Sequence, residues 1–116
     1  MFFLLSWQKN SDLTPIPEIV INIPINNQHL NKGDTIRIIG SITHSLELTE
    51  VAVHITDMAT NQEFIHNHFS PGNKTSYSYN SKYGINETTK SSFKVEVETK
   101  DSNGKMFTKE LLITIN

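Results

Sequence analysis

Apolar and polar residues alternate along most of this chain. The alternation is clearest in SFKVEVETKD, where Phe93, Val95 and Val97 share one face of a strand and charged residues occupy the other. Three further sets of alternate positions share a face: Ile19, Ile21 and Ile23; Ile36, Ile38, Gly40 and Ile42; and Val51, Val53 and Ile55. No segment of useful length has a helical period, so the pattern predicts an all-β protein.

Turn-forming residues separate these strands at intervals of roughly a dozen residues, which is typical of a β-sandwich. Pro17 and Pro24 flank the first strand and donate no backbone hydrogen bonds, so this strand is predicted at a sheet edge. Leu48 is out of phase with Val51, which predicts a bulge near Thr49. We therefore expect an immunoglobulin-like antiparallel β-sandwich of about seven strands.

Length, charge and cysteine content narrow the class of protein. The 116 residues fit one domain, for which residues 15–116 are predicted, and they include no cysteine, so disulfides and cysteine-ligated zinc sites are excluded. The net charge of -2 lacks the excess of lysine and arginine that phosphate neutralisation requires, so we expect no nucleic-acid partner. No apolar run approaches the ~20 residues of a spanning helix.

The chain begins MFFLLSW, an apolar cluster followed by a polar stretch that ends near Thr14. Residues 1–14 are predicted to be the remnant of an export signal and a linker, because the cluster resembles the end of a bacterial lipoprotein signal. Trp7 stands where such signals carry the lipidated cysteine, so membrane association is expected only if cysteine replaces Trp7 in the native form. The alternative is a short edge segment that packs on the domain.

The segment FIHNHF is the most suggestive for chemistry. His66 and His68 project from one face of a strand, and a hairpin at DMATNQ would bring His54 beside them. Three imidazoles suit a divalent metal such as zinc, nickel or copper, and Asp57 or Glu63 could complete the ligand set. The alternative is that all three are ordinary solvent-facing histidines. No cofactor is predicted beyond such a metal ion.

Catalytic patterns are not found in the chain. It has no Gly-x-Ser-x-Gly elbow and no glycine-rich phosphate loop, so no catalytic residue is predicted and we expect a protein that is not an enzyme.

The aromatic residues Tyr77, Tyr79 and Tyr83 share a face and could stack on a carbohydrate. Packing against the core is the other interpretation, because sandwiches need large inward side chains.

Several segments together resemble immunoglobulin-like domains of bacterial surface proteins: PEIVINIP, IRIIGSIT, LTEVAVHITD and SFKVEVETKDSNGK. Within that group the chain is similar to the uncharacterised Bacteroidetes lipoprotein domains called DUF4625. Such domains often carry an acidic residue between the second and third strands, where this chain has His44, so this difference weakens any calcium role that the resemblance would imply.

The resemblance and the composition together favour a non-enzymatic, exported module. We expect a spacer or an adhesion or ligand-binding domain of a cell-surface lipoprotein, located in the periplasm or at the outer membrane or cell surface. A protein or a carbohydrate would be its ligand, and no transmembrane span is expected. The alternative is a periplasmic or surface metal-binding protein that uses His54, His66 and His68.

Overall fold

The computed structural model describes residues 14–84 and 91–115, which form eight strands. The strands are β1 (Glu18–Ile23), β2 (Gln28–Leu30), β3 (Thr35–Thr43), β4 (Leu48–Asp57), β5 (Gln62–Phe69), β6 (Ser76–Gly84), β7 (Ser91–Asp101) and β8 (Met106–Ile115). The predicted leader, apart from Thr14, lies outside the described residues. Among the described residues no helix has the length and hydrophobicity needed to cross a bilayer.

The strands form two sheets that pack as an immunoglobulin-like β-sandwich. One sheet has the order β1-β3-β6 and the other β2-β8-β7-β4-β5. Every pairing is antiparallel except that of β2 with β8. β1 lies at a sheet edge, which confirms the prediction made from the prolines that flank it.

β2 lies within a segment that the sequence pattern assigns to a loop. Its three residues are too few to show a period of two, and neighbouring contacts hold it in place. The Asn27 amide donates to the Leu112 carbonyl at 2.7 Å, and the Leu112 amide donates to the Asn26 side chain at 2.9 Å. Asn27 has a φ of 66°, a left-handed conformation that asparagine tolerates better than most residues.

The core is built from the alternate apolar positions that the sequence indicates. In β3, β4 and β7 these positions are at most 1% exposed: Ile36, Ile38 and Ile42; Val51, Val53 and Ile55; and Phe93, Val95 and Val97. The first strand departs from the prediction, because Ile19 is buried while Ile23 is 41% exposed. A register shift between Ile21 and Ile23 interrupts the alternation there.

Tyr79 is a core residue whose position depends on Gly40. The two residues are direct cross-strand partners on β6 and β3, and the Tyr79 hydroxyl donates a hydrogen bond of 2.5 Å to the Val20 carbonyl on β1. Tyr79 is 1% exposed, and its burial raises the pKa of the hydroxyl. Tyr77 and Tyr83 are half-buried and also pack against the core. The three tyrosines therefore pack against the core, as the second of the two interpretations predicts.

The bulge predicted near Thr49 is confirmed. The register between β4 and β7 shifts between Leu48 and Glu50, and the Thr49 hydroxyl donates to the Lys100 carbonyl at 3.1 Å. The shift lets Leu48 enter the core, where it is fully buried.

A buried pair, His44 and Asp101, joins the end of β3 to the turn between β7 and β8. His44 Nε2 lies 2.9 Å from Asp101 Oδ2, and Asp101 Oδ1 also accepts hydrogen bonds from the Asn103 and Lys105 amides. The hydrogen bond from His44, reinforced by these two amides, holds the pKa of Asp101 below its ordinary value.

Gly40→Ala is expected to destabilise the protein by about 1–3 kcal/mol, because the added Cβ would collide with the Val20 carbonyl and the Tyr79 hydroxyl. Gly84→Ala is the matched control, since a Cβ there meets no described atom within 4 Å. We expect the control to change the free energy of unfolding by less than about 0.5 kcal/mol. Urea denaturation measures both, and equal effects of the two variants would contradict the close packing at Gly40.

Asp101 should make stability depend on acid pH. Because its folded pKa lies below the ordinary 3.8, its ionised form stabilises the fold at pH values above that value. The contribution is lost as the pH falls through the lower folded pKa. Asp101→Asn should therefore be less stable than the native chain at pH 7, and the gap should narrow towards pH 2. Denaturation midpoints across this range test it; a gap that does not change with pH would refute it.

Candidate metal centre

The candidate site lies on the outer face of the five-stranded sheet. His54 is flanked on β4 by Val53 and Ile55, which are both fully buried, so its side chain points away from the core. His66 on β5 is its direct cross-strand partner, and the two rings lie 4.1 Å apart between centroids. The hairpin predicted at DMATNQ is present and produces this pairing.

A β-bulge in β5 brings Glu63 to the same face. Ile55 pairs with Ile65 and Thr56 pairs with Glu63, so Phe64 is an extra residue on β5. In a regular strand, residues 63 and 66 would project from opposite faces because they are three positions apart. The bulge removes this difference and allows one carboxylate to reach both histidines.

Glu63 bridges the two rings. Its Oε2 lies 2.6 Å from His54 Nδ1 and its Oε1 lies 3.0 Å from His66 Nδ1. The donor atoms of His54, Glu63 and His66 all lie within 4.8 Å of one another, so one ion could contact all three. The His54 side chain is 14% exposed, that of Glu63 39% and that of His66 43%, so the site opens to solvent.

The other residues predicted for this site take different places. His68 joins the cluster through His66, with 2.8 Å between the two Nε2 atoms, and lies outside the compact three-residue group. The Asp57 side chain accepts a hydrogen bond from the Ala59 amide in the hairpin turn, and Asp57 is not a member of the group. Among the described residues, Glu63 rather than His68 is therefore the third member of the compact group.

The sequence did not point to Glu98, which also contacts His54. Its Oε1 lies 3.0 Å from His54 Nε2. Alternation places Glu98 on the wet face of β7, but the chain order does not reveal that β7 lies beside β4. Only the pairing of the strands brings this carboxylate to the histidine.

The hydrogen bonds determine where protons lie. Both ring nitrogens of His54 face carboxylates, which only accept when they are ionised, so the two contacts favour the doubly protonated imidazolium. Burial lowers the pKa of His54, but the hydrogen bonds to Glu63 and Glu98 and the charges of these groups outweigh it, so the pKa lies above 6.5. The hydrogen bond from His54 correspondingly holds the pKa of Glu63 below its ordinary value, although partial burial opposes this.

Comparison with known proteins extends the description of the fold. No family model and no curated protein sequence matches the chain. OgpA from Akkermansia muciniphila has a similar structure, with a TM-score of 0.63 and 19% identity over 84% of this chain. This chain spans only 27% of the length of OgpA.

Two smaller structures have the same architecture. The fibronectin(III)-like modules of Clostridium thermocellum CbhA match with a TM-score of 0.57 and 10% identity, covering 84% of this chain and 94% of theirs. A Niemann-Pick type C2 protein from the Japanese carpenter ant matches with a TM-score of 0.53 and 12% identity, covering 85% of this chain and 89% of its own. At these identities the likeness shows the fold alone.

His54 should stabilise the metal-free protein more at acid than at alkaline pH. Because its folded pKa is raised above 6.5, the stabilisation is fully present below that pH and is lost as the pH rises through the folded pKa. The free-energy gap between the native chain and His54→Gln should therefore be larger at pH 5.5 than at pH 8.5. Urea denaturation in the presence of a chelator measures it; equal gaps would show that the two carboxylates do not hold the imidazolium.

Proposed function

We propose that this domain is a non-enzymatic binding module whose ligand is a divalent transition-metal ion. The ion would be bound by His54, Glu63 and His66. The observation that carries the proposal is the convergence of three donor atoms, from two strands of one sheet, within 4.8 Å of one another. Each of these residue types ligates transition metals in proteins.

The ligand chemistry selects among metals. Two imidazoles and one carboxylate suit zinc, nickel and copper(II), whereas calcium and magnesium prefer sites made of oxygen alone. Three protein ligands on an exposed face leave a coordination position for water or for a group from another molecule. The site therefore fits reversible capture of a metal ion better than a closed structural centre.

We also propose that the module belongs to an exported bacterial protein, in the periplasm or at the cell surface. The lipoprotein-like start of the chain supports this location, as does the resemblance of its strands to surface-protein domains such as DUF4625. The resemblance of the strands to surface-protein domains also favours a second role, as a spacer or adhesion domain. A spacer needs no ligand, so metal binding distinguishes the two roles.

Zinc should raise the melting temperature of the native chain, prepared without a polyhistidine tag. A ligand that binds only the folded state at 100 times its Kd stabilises it by about 2.7 kcal/mol. For a domain of this size the increase is roughly 10 °C. His54→Ala and His66→Ala should each remove most of the shift, because each variant loses one of three ligands. Differential scanning fluorimetry with zinc, nickel, copper and magnesium measures the effect.

The matched control is His29→Ala. His29 is an exposed histidine on β2, which lies at the end of the sheet opposite β5, so its removal should leave the zinc shift intact. A native chain that shows no shift with any of the three transition metals would refute the metal-binding function and leave the spacer role. A shift that His29→Ala reduces as much as His54→Ala does would place the metal elsewhere.

A further inference from the structure

His54 has a carboxylate at each ring nitrogen, and one of these two carboxylates belongs to the proposed ligand group. Nδ1 faces Glu63, the carboxylate shared with His66, while Nε2 lies 3.0 Å from Glu98 on the neighbouring strand β7. Nδ1 is therefore the ring nitrogen that faces a member of the proposed ligand group. Glu98 thus touches a ligand without belonging to the three-residue group.

We infer that Glu98 is a positioning residue that fixes the proton on His54 Nε2 and thereby presents Nδ1 to the metal. This inference rests on the metal-binding function proposed above. A neutral imidazole has one protonated and one free nitrogen, and only the free nitrogen coordinates a metal. A carboxylate that accepts from Nε2–H selects the form in which Nδ1 is free and also fixes the plane of the ring.

The sheet is built to allow this contact. Ala52 is the direct cross-strand neighbour of Glu98, one row along the sheet from His54. Ala52 is 4% exposed although it lies on the outer face. A small residue at this position leaves room for the Glu98 side chain to extend diagonally from β7 to the ring of His54 on β4.

Glu96 provides a matched comparison on the same strand and face. It is the direct cross-strand partner of His54, yet its carboxylate lies 3.7 Å from Lys94 Nζ. Replacement of Glu96 or Glu98 by alanine removes the same charge from neighbouring positions on the same face of β7. Of these two glutamates, Glu98 is the one whose carboxylate is hydrogen-bonded to His54.

The test compares zinc affinity, measured by isothermal titration calorimetry, in four forms of the full chain: native, Glu98→Ala, Glu98→Gln and Glu96→Ala. Glu98→Ala should weaken zinc binding about 10-fold or more, the usual effect of losing such a partner of a ligand. Glu98→Gln should recover part of the affinity, because its amide oxygen still accepts from Nε2–H although the charge is gone. Glu96→Ala should stay within about 2-fold of the native chain, because the Glu96 carboxylate pairs with Lys94 and holds no proton of His54.

A spectroscopic readout separates positioning from a general loss of stability. Long-range ¹H–¹⁵N spectra of the histidine rings should show, in the zinc-loaded native chain, a protonated Nε2 and a metal-bound Nδ1 on His54. In Glu98→Ala, zinc at Nε2 or a mixture of both forms should appear, while the melting temperature without zinc shows whether the fold is retained.

Three outcomes would overturn the positioning role of Glu98, and a fourth would refute the metal-binding function. Equal zinc affinities in Glu98→Ala and Glu96→Ala would overturn the positioning role and leave the metal site intact. Equal losses in Glu98→Ala and Glu98→Gln would overturn it too, since negative charge rather than hydrogen bonding would then matter. Zinc bound through His54 Nε2 in the native chain would also overturn it. A native chain that binds no zinc would refute the proposed function itself.

Discussion

The alternation of side chains along β4 is the constraint on which both the fold and the site depend. Val51, Val53 and Ile55 fill the space between the two sheets and are fully buried. Because successive residues of a strand point to opposite faces, their burial forces His54 onto the outer face. A slip of one residue would put an imidazole in the core and three aliphatic chains in water. The hydrophobic core therefore determines where the histidine lies.

The site results from two local adjustments to this regular sheet. The extra residue at Phe64 changes the phase of β5, so that Glu63 and His66 share a face although they are three positions apart. Glu98 departs from its direct cross-strand partner, the small residue Ala52, and reaches diagonally to His54. Three strands thus contribute to one cluster, and their backbone pairing sets its geometry without any loop.

Periodicity was sufficient to predict the sandwich, the bulge near Thr49 and the shared face of His66 and His68. The flanking prolines predicted the edge position of β1, and the turn at DMATNQ predicted that His54 lies beside the other two histidines. It was insufficient where a contact depends on strand order or on a break in the period. Glu98 required knowledge that β7 lies beside β4, and β2 is too short to carry a pattern. The sequence left Glu63 and Asp57 as equal candidates, and only the bulge brought Glu63 to the histidines. The export signal and the relation to DUF4625 stay predictions.

The bulge at Phe64 has a second consequence, for association between molecules. β5 is the outermost strand of its sheet, and such a strand can template pairing with a strand of another chain. A bulge bends and twists the strand, which interrupts the even row of amides and carbonyls that an added strand would need. The bulge that brings Glu63 to the histidines therefore also protects the open edge of the sheet against edge-to-edge aggregation. A regular β5 would carry a higher risk of such pairing.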